Sequence, residues 1–112
     1  MQVASQLEDG IFTGLFREGE QIPSTTEISV QYQINPATIL KGMNVLVDNG
    51  YVYKKRGVGL FVEDGAREKI VARRSQAFYE SFILSLVSEA QKLGISKESI
   101  INMLERGFGD EA

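Results

Sequence analysis

Two helix-start signals lie close together in the first half of the sequence. Ser24 to Glu27 has the spacing of a capping box, in which the serine hydroxyl accepts a hydrogen bond from the Glu27 amide and the glutamate reaches back to the serine amide. Asn35-Pro36 places a preferred N-cap residue before a proline at the first helical position. Because the second start follows the first by 11 positions, the first helix must be short. The pair therefore predicts a helix-turn-helix.

Apolar spacing extends this prediction on both sides. Val3, Leu7 and Ile11 lie four positions apart, which indicates an amphipathic helix from Gln2 to about Thr13. A short strand at Gln21-Ile22 is expected to follow it, because Pro23 then separates this segment from the capping box.

Both helices of the helix-turn-helix are expected to bury one face. The first runs to about Tyr32 and is expected to bury Ile28 and Tyr32. The second begins at Asn35 and ends at Asn49-Gly50, and its apolar face includes Ile39.

After Gly50 the pattern changes from helical to extended. Tyr51–Lys55 and Leu60–Val62 are β-branched, aromatic or apolar, and Arg56–Gly59 between them contains two glycines. This arrangement predicts a β-hairpin, which is called the wing below. Its Gly-Val-Gly sequence is a turn rather than a phosphate loop, because neither Lys-Ser nor Lys-Thr follows it.

Helical spacing returns at Ala66 and continues without glycine or proline to about Leu93. A serine N-cap at Ser96 then opens a last helix to about Arg106, and the tail from Gly107 is expected to fray. The fold class predicted is mainly α with a small β-hairpin. It divides into a first domain of residues 1–65 and a helical segment of residues 66–112, which is called the arm below.

Composition excludes several kinds of site. The chain has no cysteine and no histidine, so zinc fingers and Ser-His-Asp or Cys-His nucleophiles are not available to it. Only carboxylate or lysine chemistry would remain for an enzyme, and the carboxylates are scattered along the chain without forming a recognisable site. We therefore expect no enzyme, no metal site and no cofactor. No apolar run reaches the ~20 residues that a membrane span requires, and no basic, apolar leader opens the chain. A cytoplasmic protein is expected.

Charge along the chain is more informative than its total. The net charge is −3, which does not by itself suggest a nucleic-acid partner. However, four of the five basic residues in positions 1–65 fall on the second helix of the helix-turn-helix or on the wing, at Lys41, Lys54, Lys55 and Arg56. Such a local positive face suits phosphate binding. The same charges could instead only solvate the tip of the hairpin.

Three segments carry a resemblance to a known family. Gly19–Ile28 (GEQIPSTTEI) resembles the G-[DE]-x-[LI]-P-S-x-R-E-[LI] signature of GntR-type bacterial transcriptional regulators. Asn35–Ile39 is similar to the N-P-N-T-V of the YtrA-like branch, and Gly50–Val52 with Arg56–Val62 resembles G-[LY]-[IV] followed by R-G-x-G-T-F-V. The likeness covers about residues 3–62, in the family's order and spacing.

The resemblance implies a winged helix-turn-helix regulator that binds double-stranded DNA. In this branch the two C-terminal helices act as a dimerisation arm, and most family members repress by occupying a promoter. A homodimer on an inverted-repeat operator is therefore expected, with a small-molecule effector or another signal changing the angle between its heads. The DNA-binding residues implied are Ser24, Thr26, Asn35, Ala37, Thr38, Lys41, Lys54, Lys55, Arg56 and Gly57.

The arm carries an apolar stripe that one short partner helix could not cover, so pairing across a two-fold axis is expected. Its proposed dimerisation residues are Val71, Phe78, Phe82, Leu86, Leu93, Ile100 and Leu104. The stripe could alternatively be core within one chain. Basic residues at the start of the arm either touch flanking DNA or form a solvated face; they are Arg67, Lys69, Arg73 and Arg74.

Several positions depart from the family pattern. Thr26 stands where the family motif has an arginine, and Leu40 and Leu60 occupy positions that are usually polar. Pro36 is normal for the YtrA-like branch but replaces the arginine of the wider family. These changes remove side chains that could read guanine by paired hydrogen bonds. A rival function is therefore a winged helix that binds another protein and has lost DNA binding. The missing arginine at Thr26 and the acidic total favour this rival, and the basic wing disfavours it.

Overall fold

The computed structural model describes residues 3–109 of the chain. Its helices are α1 (Val3–Thr13), α2 (Thr25–Tyr32), α3 (Pro36–Asp48), α4 (Ala66–Phe78), α5 (Leu84–Leu93) and α6 (Lys97–Phe108), with a π-helical turn at Tyr79–Ile83 between α4 and α5. Two strands, β1 (Val52–Lys55) and β2 (Gly59–Val62), form one antiparallel sheet.

The predicted fold class, mainly α with a small hairpin, is confirmed. Fraying was predicted from Gly107, but α6 continues through Gly107 to Phe108. Gln2, predicted to be helical, and residues 110–112 lie outside the described residues.

The chain divides into two compact units, Met1–Arg73 and Arg74–Ala112. The first unit extends past the predicted boundary at residue 65 because Ala66 and Ile70, at the start of α4, are fully buried in its core. That core comprises Val3, Leu7, Ile11, Ile22, Ile28, Ile39, Met43, Leu46, Tyr51, Val52, Val62, Ala66 and Ile70.

Local capping fixes the helix-turn-helix. Ser24 Oγ accepts a hydrogen bond from the Glu27 amide at 3.0 Å, and the Ser24 amide donates to Glu27 Oε1 at 3.2 Å, as the capping box predicts. Asn35 Oδ1 accepts from the Ala37 amide at 2.8 Å and opens α3. Between the helices, Gln33 takes the left-handed conformation with φ of 53°. This conformation is unusual for a residue with a Cβ, and the sequence does not signal it.

One apolar expectation for the helix-turn-helix is wrong. Tyr32, expected to be buried one turn after Ile28, is more than half exposed. The short α2 ends there, and Tyr32 lies with Leu15 on the rim of a shallow apolar hollow of about 230 Å³.

Helices α1 and α3 approach closely at Gly42. A Cβ atom at this position would lie 2.9 Å from Val3 Cγ1 and 3.1 Å from the backbone nitrogen of Ala4. Such distances are shorter than packed atoms tolerate, and the Ala4 backbone cannot turn aside as a flexible side chain could. A glycine at this position is therefore what lets α1 pack against α3.

The hairpin pairs Val52 with Val62 and Lys55 with Gly59. Gly57 in its turn has φ of 77°, a left-handed value that glycine adopts without steric cost. The predicted short strand at Gln21-Ile22 is confirmed only as a bridge between Gln21 and Phe61, and the Ile22 amide donates to the Leu60 carbonyl at 2.9 Å. This segment therefore pairs with the outer edge of β2.

Three basic residues at the start of α4 are exposed and also contact the rest of the first unit. Arg67 Nε donates to the Phe12 carbonyl at 3.0 Å, and Lys69 Nζ donates to the Gly50 carbonyl at 3.4 Å. Arg73 forms an ion pair with Glu8, whose side chain is only 9% exposed. These contacts join the start of α4 to α1 and to Gly50, and a contact of these residues with flanking DNA stays a prediction.

The second unit buries little of its apolar surface. Within residues 74–109 only Ala90 is buried. Ten large apolar side chains of this unit are exposed: Phe78, Tyr79, Phe82, Leu84, Val87, Leu93, Ile101, Met103, Leu104 and Phe108. The helix predicted to run unbroken to Leu93 contains the π turn, in which the Leu84 amide donates to the Tyr79 carbonyl five residues earlier.

We expect Gly42→Ala to lower the free energy of unfolding by about 1–2 kcal/mol, because the methyl group overpacks the contact between α1 and α3. This is the net change expected after the gain of about 1 kcal/mol that alanine usually brings to a helix interior has been included. Urea unfolding followed by circular dichroism measures the change.

The control is Gly107→Ala in α6, where a Cβ meets no atom within 4 Å. It should leave stability unchanged or raise it by up to about 1 kcal/mol. A Gly42→Ala protein as stable as wild type would show that α1 can move away from α3 at little cost.

Candidate nucleic-acid interface

The first half of α3 presents polar side chains to solvent. Ile39 is fully buried and fixes the rotation of the helix, so Asn35, Ala37, Thr38 and Lys41 are exposed. Helical periodicity places Ala37 and Lys41 one turn apart on the face away from the core. These four exposed residues belong to the set that the resemblance implies for DNA binding.

Asn35 has two functions available to it. Its Oδ1 atom caps α3 by accepting from the Ala37 amide, and its Nδ2 donors make no hydrogen bond within residues 3–109. The unpaired amides of a helix N-terminus also favour a phosphate. Capping and DNA contact are therefore compatible at this position.

Ser24 and Thr26 lie at the N-terminus of α2, and both are exposed. The Ser24 hydroxyl is engaged in the capping box, so its first function is structural. Thr26 lines the same groove as Leu40 of α3 and Lys54 of the wing. The structure therefore places the start of α2 next to the exposed face of α3.

Strand alternation separates the basic residues of the wing. Lys54 pairs with Leu60, on the face of the sheet that also carries the buried Val52 and Val62. Lys54 thus faces the helix-turn-helix and lines the groove beside α3. Within the described chain, Lys41, Lys54 and Arg56 form no ion pair, so their charges are available to an external anion.

Lys55 projects from the opposite face of the wing. Its Nζ atom lies 4.7 Å from the centroid of the Phe61 ring, which stacks on Tyr53 at 5.8 Å. This cation–π contact holds the charge over an aromatic pair. Arg56 and Gly57 form the tip between the two faces, where Arg56 is exposed. From the sequence alone, Lys54, Lys55 and Arg56 were interpreted as one basic patch. The face on which each strand residue lies depends on the register of the hairpin, which the sequence does not reveal.

A groove of about 410 Å³ lies between α3, the start of α2 and the wing. It is called the α3–wing groove, and its lining includes Thr26, Leu40, Met43, Val47 and Leu60. Sequence reasoning missed this groove. The sequence did offer one indication of it. Thr26, Leu40 and Leu60 all depart from the family pattern, and such departures can lie on one surface.

The proposed dimerisation residues divide between the two units. Val71 is half-buried in the first unit. Leu86 and Ile100 line a hollow between α5 and α6 with Ala90, so they partly serve the packing of those helices. The remaining members of the set, Phe78, Phe82, Leu93 and Leu104, are exposed.

Other kinds of site find no support in the described residues. No three acidic side chains within residues 3–109 lie close enough together to hold a metal ion. None of the helices described is long and apolar enough to cross a membrane. The arrangement offers instead a polar and cationic surface with two helix N-termini, which can hydrogen-bond to phosphates and to the edges of bases.

Comparison with known proteins decides the family. The model of the bacterial regulatory proteins of the gntR family matches residues 1–62. The chain belongs to the GntR family. It is therefore a transcriptional regulator and not an enzyme, and the resemblance of the three sequence segments is confirmed.

Two curated relatives from Bacillus subtilis match most of the chain. The HTH-type transcriptional regulator YhcF is 29% identical over 100 residues, covering 86% of this chain and 81% of YhcF. The HTH-type transcriptional repressor YtrA is 23% identical over 99 residues, covering 88% of this chain and 75% of YtrA. Other repressors that the chain matches are longer, and it spans 25% of one that is 36% identical over 61 residues.

Solved structures support the same assignment. A GntR-family transcriptional regulator from Bacteroides thetaiotaomicron is 32% identical and superposes with a TM-score of 0.78, covering 92% of this chain and 89% of the other. The DNA-binding domain of AraR, solved in complex with operator ORR3, is 31% identical with a TM-score of 0.52. That comparison covers 55% of this chain and 74% of the AraR chain.

Because Lys54 and Lys55 lie on opposite faces of the wing, we expect their removal to affect DNA binding differently. Lys54→Ala should flatten the dependence of log affinity on log salt by about one unit for each phosphate contact removed. Lys55→Ala should change this slope less and lower the free energy of unfolding by about 0.5–1 kcal/mol, because it removes the contact with Phe61.

Fluorescence anisotropy with a random duplex at several salt concentrations measures both slopes, and the two variants serve as matched controls for each other. Equal slopes for the two variants would contradict the separation and indicate one diffuse positive patch.

Proposed function

We propose that this GntR-family regulator binds an inverted-repeat operator as a homodimer and represses transcription by occupying a promoter. The observation that carries the proposal is the exposed surface shared by α3 and the wing, where Lys41 and Lys54 form no ion pair within the described chain. In helix-turn-helix proteins the second helix enters the major groove with its N-terminal residues towards the bases. Asn35, Ala37 and Thr38 occupy that part of α3.

The proposed division of labour follows from the chemistry of each residue. Lys54, Arg56 and the N-terminus of α2 at Ser24 would bind phosphates, which position a protein on DNA without reading its sequence. Asn35 and Lys41 would read base edges, because they carry donors that reach into the major groove. The complex of the AraR DNA-binding domain with its operator supports this assignment by similarity.

The homodimer is supported by the apolar surface of the second unit. Phe78 and Phe82 are 54% and 63% exposed, and their rings contact each other with centroids 5.3 Å apart. Exposed apolar patches of this extent mark interaction sites. A second copy of the chain would cover them through a self-complementary interface, and two heads related by a two-fold axis fit an inverted repeat.

Repression and a cytoplasmic location are the biological part of the proposal. YtrA, which matches 88% of this chain, is a transcriptional repressor. A dimer that covers two half-sites can exclude other proteins from the same promoter DNA. An effector or another signal would act by changing the angle between the two heads.

Phe82→Glu should convert the dimer into a monomer, because each interface would bury a carboxylate without a partner. Sedimentation equilibrium at micromolar concentration measures the mass. Binding to the operator should weaken by about 100-fold or more, since the two heads no longer bind as one bivalent unit. Ser88→Glu adds the same charge at an exposed polar position of α5 and should leave both measurements unchanged. A wild-type protein that sediments as a monomer would contradict the proposal.

The operator itself can be identified by capture of genomic fragments on the purified full-length protein, followed by footprinting. We expect protection of an inverted repeat with half-sites about one helical turn, or roughly 34 Å, apart. Lys41→Ala should weaken binding to this operator by 1–3 kcal/mol, and less on random DNA, if Lys41 contacts a base. If no fragment is retained above the level of random DNA, the proposal fails and the function in protein–protein binding replaces it.

A further inference from the structure

Three positions at which the chain departs from its family pattern meet in one place. Thr26 stands where the pattern has arginine, and Leu40 and Leu60 stand where it is polar. All three line the α3–wing groove, although they belong to α2, α3 and β2. The groove therefore combines apolar side chains, Leu40 and Leu60 among them, with the polar Thr26, Asn44 and Lys54.

Leu40 is the apolar side chain of this groove that reaches furthest into solvent. It is 52% exposed, although it lies directly beside the fully buried Ile39. On α3 it lies one turn from Ala37 and one turn from Asn44, and both of these residues are exposed. Leu40 therefore belongs to the face of α3 that the proposed function turns towards the bases.

The surroundings of Leu40 suit DNA as the occupant of the groove. Lys54 lines the groove on the wing side and Asn44 on the α3 side, and no acidic residue occurs among the described residues that line it. The charge of Lys54 favours the approach of a polyanion to the groove. With α3 in the major groove, as proposed above, Leu40 would lie against the edges of the bases.

We propose that Leu40 is a specificity-determining residue that selects thymine by packing against its C5-methyl group in the major groove. This inference rests on the proposed function. Thymine is the one base that presents a methyl group there, whereas cytosine carries only a C–H at the same ring position. Packing of the Leu40 side chain against this methyl group removes apolar surface from water. Leu40 thus favours thymine by contact with its methyl group.

The test removes single methyl groups from the DNA. In the operator captured by the full-length protein, each thymine is replaced in turn by deoxyuridine, which lacks only the C5-methyl group. We expect one thymine in each half-site at which the Kd rises about fourfold, the effect of losing one buried methyl group. In Leu40→Ala the operator should bind more weakly, and deoxyuridine at this position should have no further effect.

A methylated base supplies the converse test. Replacing the same T·A pair by C·G should weaken binding, and 5-methylcytosine at that position should restore about the fourfold that the methyl group contributes. Leu15→Ala is the matched control, because Leu15 is an exposed leucine, 72% accessible, that does not line the groove. It should retain the full sensitivity to deoxyuridine.

The outcomes distinguish a failure of methyl recognition by Leu40 from a failure of operator binding. If wild-type protein binds an operator but no thymine is sensitive, or if Leu40→Ala keeps the same sensitivity, Leu40 does not read the methyl group and the inference is overturned while DNA binding stands. If wild-type protein retains no operator at all, the proposed function fails first. Circular dichroism melting of Leu40→Ala verifies that the exposed side chain was removed without loss of the fold.

Discussion

The contact between α1 and α3 at Gly42 holds α3 against the core and leaves its first half exposed. Helix α3 presents Ala37, Thr38 and Lys41 to solvent and buries Ile39 and Met43. Because a Cβ at Gly42 would meet Val3 and the Ala4 backbone, the close approach of the two helices depends on glycine at this position. The position of α3 in the first unit therefore depends on this contact.

Helix α1 also receives the attachments of α4. Arg67 bonds to the Phe12 carbonyl and lies over its ring, and Arg73 pairs with the nearly buried Glu8. Removing Arg73 would take this partner away from the nearly buried charge of Glu8, which lowers the free energy of unfolding. Helix α1 thus contacts both α3 and the start of α4.

Much of this architecture could be predicted from the sequence, because its signals are local. The capping box at Ser24 and the Asn35-Pro36 step each act through atoms within three residues, and they define the starts of α2 and α3 correctly. The left-handed turn at Gln33 carries no such signal, because glutamine is not selected for that conformation. The bonds of Arg67, Lys69 and Arg73 join positions far apart along the chain, so a single sequence gives no indication of them.

The candidate site was predictable residue by residue but not in its arrangement. The basic character of Lys54 and Lys55 is evident in the sequence, whereas their separation onto opposite faces follows from the pairing of Lys54 with Leu60. Likewise, Leu40 and Leu60 were recognised only as losses from a pattern. Their common groove emerges from the packing of the wing beside α3.

The π turn at Tyr79–Ile83 has a consequence for how relatives of this protein should be aligned. A π turn accommodates one more residue than an α turn, so it is equivalent to an insertion inside a continuous helix. Every residue from Leu84 onward is thereby rotated by about 100° relative to an uninterrupted α-helix. Relatives that lack the turn will carry a one-residue gap at this place, and an ungapped alignment of the arms would pair the apolar face of one protein with the polar face of another.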